Sequence, residues 1–193
     1  MLAFERLPLR TQRLLLRPLA AADAHDVFAV YSDPVVMRYW STPPWTRIEQ
    51  AHEMIAGDIA GFEGGEHLRL ALLPADGTAP LPLLGTCSLW NIDRSSRRAE
   101  VGYLLAATAW GRGYMHEAMT ALVRYAFEDQ GLNRLEADID PRNQPSEKSL
   151  LRLGFQKEGH LRERWIVNGE VSDSGLYGLL ARDWRACSSS GPQ

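Results

Sequence analysis

The sequence predicts a mixed α/β domain built on one sheet of about seven strands. Three observations carry that reading. At 193 residues the chain is long enough for one domain with a sizeable core. Its segments read, in order, as a strand, two helices, three strands, a helix, a strand, a helix and two strands. The three central strands form a meander, unlike the regular strand–helix alternation of a doubly wound dinucleotide fold.

"RLLLRPL" (13–19) is apolar and is stopped by Pro18, so it reads as the first strand. Residues 20–33 carry Val27, Val30 and Tyr31 at helical spacing and end at Asp33-Pro34. The next helix follows Pro43 and Pro44. Thr46 is its expected N-cap, with Glu49 three residues on completing a capping box, and Gly64-Gly65 stops it. Residues 67–73 read as a strand, and "PADGTAP" as a turn with Asp76-Gly77 at its tip. Strands 82–92 and 98–105 flank the turn "DRSSRR". Residues 113–130 form the strongest helix, with Ala118, Met119, Leu122, Ala126 and Phe127 on one face. A strand (134–139), a Pro-flanked turn and a helix (146–152) ended by Gly154 follow. Strand 155–167 then turns at Asn168-Gly169 into strand 174–181. The domain is expected to span 1–184, with "CSSSGPQ" in a disordered tail over 185–193.

Composition narrows the function. Hydrophobic residues make up 45% and charged residues 23%, as in an ordinary soluble protein. A formal net charge of -3 gives nucleic-acid binding no support. No apolar run approaches the roughly 18 residues of a membrane helix. Glu5 and Arg6 stand where a signal peptide would be apolar, so a cytoplasmic protein without a membrane partner is expected. Cys87 and Cys187 form no disulfide framework and lack metal-ligand spacing, so no metal is expected.

The informative stretch is "EVGYLLAATAWGRGYMHEAM" (100–119). It sets Gly111, Arg112 and Gly113 between a strand and a helix. A helix start offers unpaired N–H groups and a partial positive charge, and glycines let a ligand approach the backbone. Arg112 would add a charge-assisted contact. The loop therefore reads either as a phosphate cradle or as a tight turn. It matches neither the P-loop nor the GxGxxG fingerprint.

This stretch resembles the central segment of the GNAT superfamily of acyl-CoA-dependent N-acetyltransferases, in its RimJ/RimL-type branch. "TQRLLLRPL" and "NQPSEKSLLRLGFQKEGHLRERWIVNGEVSDSGLYGLL" are similar to the branch's opening and second half. The resemblance implies a GNAT fold: a mixed, mostly antiparallel sheet with helices on both faces. It implies acetyl-CoA as co-substrate and a primary amine as acceptor, either a peptide N-terminus or a small amine. The coenzyme's pyrophosphate would lie on Gly111, Arg112, Gly113, Tyr114 and Met115. Its pantetheine would pair with the backbone of Tyr103, Leu104 and Leu105, a strand that splays from its neighbour. Two positions depart from the superfamily pattern. Trp110 replaces the usual Arg or Gln, and Met115 replaces a Gly or Ala, which would narrow the site.

Acyl transfer to an amine needs a base, a stabilised carbonyl oxygen and a stabilised leaving thiolate. Glu100 is the first candidate base, against the reading of a solvent-facing strand-end glutamate. Glu117, in the helix's first turn, is expected to serve the dipole. His116 is expected to face solvent. Glu163 and Asp173 are lesser candidates. Many superfamily members protonate the thiolate with a tyrosine, but that position is Leu150 here. Ser146 is the alternative donor, and it also stands where a helix N-cap belongs. Asn143 would bond pantetheine or hold the turn. In "MRYWSTPPWT", Tyr39, Trp40 and Trp45 would line an acceptor pocket, belong to the core, or form a homodimer surface. A non-catalytic acyl-CoA-binding module and a structural domain with a degraded loop are the remaining alternatives.

Overall fold

The computed structural model describes residues 4–75 and 83–184. The Asp76-Gly77 turn tip, Cys187 and the 185–193 tail lie outside the described residues. The strands are β1 (Leu9–Arg10), β2 (Leu14–Pro18), β3 (Leu68–Pro74), β4 (Gly85–Asp93), β5 (Arg98–Leu105), β6 (Arg134–Ile139), β7 (Gln156–Val167) and β8 (Glu170–Leu180). The helices are α1 (Ala24–Tyr31), α2 (Glu49–Gly64), α3 (Tyr114–Arg124) and α4 (Gln144–Arg152).

One eight-stranded sheet runs β1-β2-β3-β4-β5-β6-β8-β7. The strand beyond the expected seven is the two-residue β1, which pairs only Leu9 and Arg10 with β2. Every neighbouring pair is antiparallel except β5–β6. That exception needs a crossover, and α3 supplies it.

The period-2 side-chain alternation of the strands feeds two cores. Leu14, Leu16, Leu70 and Leu72 pack with Met119 and Leu122 of α3 and Leu150 of α4. Ala71, Leu73 and Leu104 face the other way, against Val27 and Val30 of α1 and Ile55 of α2. Helices therefore cover both faces of the sheet. Each large side chain buried in this way contributes about 1.5–3 kcal/mol.

Several element boundaries differ from those the local pattern predicts. α2 begins at Glu49, and its N-cap Ile48 makes no side-chain bond. Thr46 is not the cap. Gln50 Oε1 instead accepts from the backbone N–H groups of Thr46 (2.9 Å) and Arg47 (3.1 Å). The helix ends as expected, with Gly65 left-handed at φ 72°. α3 continues into a π turn over Tyr125–Asp129. β8 starts earlier than expected, at Glu170, because Asn168 (φ 50°) and Gly169 (φ 84°) form a two-residue turn that keeps the hairpin paired to its tip.

Candidate active site

β5 and β6 pair over only three positions, Arg98–Arg134, Ala99–Leu135 and Glu100–Glu136. Beyond Glu100 the strands separate, leaving the β6-facing side of Val101–Leu105 without a ladder partner. On its other side β5 stays paired with β4 as far as Leu105. The sheet therefore opens into a cleft at the C-terminal ends of its parallel pair.

The glycine loop stands beside that cleft. A short helical turn (Ala107–Ala109) follows β5, and Trp110 is extended. Gly111 and Gly113 both adopt positive φ, 74° and 77°, which a side chain would strain. A Cβ placed on Gly111 would meet nothing within 4 Å, so that face of the loop is open. Gly113 is the N-cap of α3 and offers no side chain to its first N–H groups. The side chain of Met115 packs against the core. The Trp110 ring is 47% exposed, and its indole N–H donates to the Leu105 carbonyl at 2.8 Å. Leu105 thus spends one acceptor within the loop itself.

Arg13 and Glu117 brace the loop. Glu117 accepts from Thr11 Oγ1 (2.5 Å), the Arg13 amide (2.8 Å) and Arg13 Nε (2.6 Å). Arg13 Nη1 donates to the Arg112 carbonyl at 2.9 Å, and its guanidinium lies 4.8 Å from the Tyr114 ring centre. Burial pushes the Glu117 carboxyl up, but the bonds from Thr11 and Arg13 outweigh it and hold the group below the usual carboxylate range. Arg13 was not singled out in the sequence. Its signal was present in "TQRLLLRPL", immediately ahead of β2. His116 does not simply face solvent. It is half-buried, and Nδ1 is buried with no hydrogen-bond partner among the described residues. Burial, then nearby Arg152, lowers its pKa and keeps the ring neutral at pH 7.

Ser146 is not the N-cap of α4. Asn143 is, and its Oδ1 accepts from the Ser146 N–H at 3.2 Å. The Ser146 hydroxyl is thereby released to share a 2.7 Å hydrogen bond with Tyr103 Oη. Burial pushes the Tyr103 phenol up to about 12, against the opposing effects of Ser146 and Ser149, so it stays protonated. Leu104 is 4% exposed and packs among α1 and α2 residues, so its contribution to the cleft is backbone.

Glu100, Tyr103, Asn143 and Ser146 line one cavity of roughly 530 Å³, along with Tyr39 and Trp40. Trp45 does not line it. The Trp45 ring stacks on Tyr31 at 4.5 Å, in the α1 core. A bulge in β4 between Trp90 and Asp93 turns Asn91 toward β5, and Asn91 Nδ2 donates to Glu100 Oε1 at 2.9 Å. Trp165 and Arg164 of β7 form another wall. Glu163 and Asp173 do not line the cavity. Asp173 accepts from the Glu163 amide (2.8 Å) and pairs with His160 (2.8 Å). No cluster suited to a metal occurs among the described residues. No helix among them is long and apolar enough to cross a membrane.

The acetyltransferase (GNAT) domain model matches residues 13–156. The chain is 37% identical over 178 residues to the uncharacterized N-acetyltransferase p20 of Bacillus licheniformis, covering 91% of this chain and 97% of that one. It is 35% identical over 103 residues to the [ribosomal protein uS5]-alanine N-acetyltransferase of Escherichia coli, covering 53% of each. The spermidine N-acetyltransferase of Vibrio cholerae, solved with CoA and spermine, superposes with a TM-score of 0.80 at 22% identity, over 91% of this chain and 99% of that one. Fold and relatives together define an N-acetyltransferase. The chain belongs to the GNAT acetyltransferase family.

Proposed function

We propose that the protein transfers the acetyl group of acetyl-CoA directly to an α-amine within a ternary complex. The carrying observation is that Glu100 and the Tyr103–Ser146 pair line one cavity, at the point where β5 leaves β6. The fit to the coenzyme rests on three features of this chain. They are the open face of Gly111, the uncapped start of α3, and the unpaired backbone of Val101–Leu105. Gly111, Arg112, Gly113, Tyr114 and Met115 would hold the pyrophosphate. Tyr103 and its neighbours would hold the pantetheine arm. The coenzyme supplies an activated acetyl group and a thiolate leaving group.

Glu100, oriented by Asn91, accepts the proton that the amine must lose, directly or through one water. The Ser146 hydroxyl donates toward the departing sulfur, and the protonated Tyr103 phenol donates in turn to Ser146 Oγ. This pair takes the place of the tyrosine that Leu150 replaces. Holding both partners in one cleft provides the proximity term. Likeness to the uS5-alanine enzyme over half the chain supports an α-amine as acceptor.

The test is thermal unfolding with acetyl-CoA, followed by thiol release against peptides and small amines. Ligand at about 100-fold over its Kd should add about 2.7 kcal/mol, a Tm rise of about 5–10 °C for a chain of this size. Thiol release with at least one acceptor class is expected. Glu100→Gln should lower kcat about 10²–10⁴-fold while keeping the thermal shift. A thermal shift without release from any acceptor would make the protein a coenzyme-binding module. No shift would make the glycine loop a turn.

A further inference from the structure

We infer that Arg69 anchors the acceptor by binding a carboxylate that the acceptor carries, so that the acceptors are small amines of the amino-acid class. This rests on the acetyl-transfer reading above for what the cavity holds. Arg69 lies on β3, outside the glycine-loop motif, and it lines the same cavity as Glu100. It pairs with Ser88 of β4, which pairs with Gly102 of β5. The two positions between Arg69 and the cleft therefore carry a small side chain and none. They leave a trough across the sheet, about 10 Å wide at two strand spacings.

The guanidinium is held from behind. Asp58 Oδ2 accepts from Nε at 2.8 Å, and Tyr31 Oη accepts from Nη1 at 2.9 Å. Asp58 is itself buried, and its other oxygen meets His67 Nε2 at 3.0 Å. Nη2 has no partner among the described residues. It is also not sealed away, since the one buried unpartnered side-chain polar atom among those residues is His116 Nδ1. Nη2 therefore points donors into the open cavity, where an acceptor group can displace water. The guanidinium's charge is balanced and its plane fixed, and the Nη1–Nη2 edge is the fork that fits a carboxylate.

The acidic groups of the cavity do not offer the opposite recognition. Asp138 pairs with Arg164 at 3.1 Å, Asp140 pairs with Arg142, and Glu100 accepts from Asn91. Asp138 and Asp140 are matched by arginines, so Glu100 alone is left for an ammonium, and a polyamine's second ammonium finds no free carboxylate among the described lining residues. An amino acid places its amine toward Glu100 and its carboxylate on Arg69. The two Cα atoms are about 12 Å apart by sheet geometry, within the joint reach of two side chains and a small acceptor.

The test compares each of several amino acids with its own carboxamide, alongside spermidine and a C-terminally amidated peptide. Thiol release gives kcat/KM, and titration calorimetry on the CoA-loaded protein gives acceptor binding. The wild-type protein should favour each acid over its amide by at least tenfold in both. Arg69→Lys should raise KM for the acids at least tenfold, change the amides less than threefold, and leave the acetyl-CoA thermal shift in place. Equal use or binding of acid and amide by the wild-type protein overturns the assignment without any variant. So does faster turnover of spermidine or the amidated peptide. Selective binding of acids without thiol release would uphold Arg69 and sink the transfer reading instead.

Discussion

Ser146 and Tyr103 share one 2.7 Å hydrogen bond, and that bond makes them a unit. Ser146→Ala and Tyr103→Phe should each lower kcat about 10–100-fold, with acetyl-CoA affinity nearly unchanged. The double variant should lose little more than either single one. Multiplying losses would mean that the two act separately. Glu117 makes a prediction of another kind. Its folded carboxyl lies below the ordinary value, so its stabilisation is full above an unfolded pKa of about 4.3 and is lost as pH falls through the lower folded value. Glu117→Gln should therefore cost about 1–2 kcal/mol at pH 7, and the Tm gap to wild type should close as pH falls through and below about 4.3. A gap constant over that fall would show that the charge is irrelevant. At this scale the sequence placed Glu117 in a helix's first turn but did not reveal its bonds to Thr11 and Arg13, which lie far away in the chain. It said little about Arg69, whose neighbours in space come from three separate segments.

The element that carries Ser146 depends on its cap. Asn143→Ala should cost about 1 kcal/mol, a Tm fall of about 2–4 °C. It should also lower kcat, because the cap sets the phase that brings Ser146 to Tyr103. Asn143→Asp, which keeps a capping oxygen, should restore most of the stability; a fall equal to that of Ala would rule out the capping role. α4 is further tied to β8 by a 2.5 Å bond from Tyr177 Oη to Glu147. "NQPS" offers two capping residues three positions apart, and local chemistry does not choose between them. The choice follows from Leu150 and Leu153, which must both reach the core. α2 makes the same point. Thr46 does not cap it; Gln50, inside the helix, reaches back to fold the Thr46 and Arg47 amides ahead of the N-cap Ile48. Element type was legible from periodicity, whereas the first turn of each helix was settled by tertiary packing.

At the scale of the whole molecule, the order of the sheet was the least legible feature. Asn168-Gly169 announced a hairpin, but not that β8 would dock on β6 and leave β7 at the edge. The reason lies in what each strand can bury. β8 brings Tyr177 and Leu179 to the core, whereas nearly every residue of β7 is exposed. The family resemblance supplied a mixed sheet and a strand that splays from its neighbour, but not which pair is parallel, which follows from contacts far apart in the chain. The cleft has a further consequence. From Val101 to Leu105 the middle of the sheet behaves, on one side, as a free edge. Amide hydrogens facing that seam should exchange with solvent far faster than those of β3, which is paired on both sides. Bound coenzyme should slow them at least tenfold and leave β3 unchanged, as mass spectrometry of deuterium uptake would read. Such an exchange pattern would place soft backbone at the centre of the sheet rather than only at its rim, with the proposed co-substrate acting as the strand that closes it.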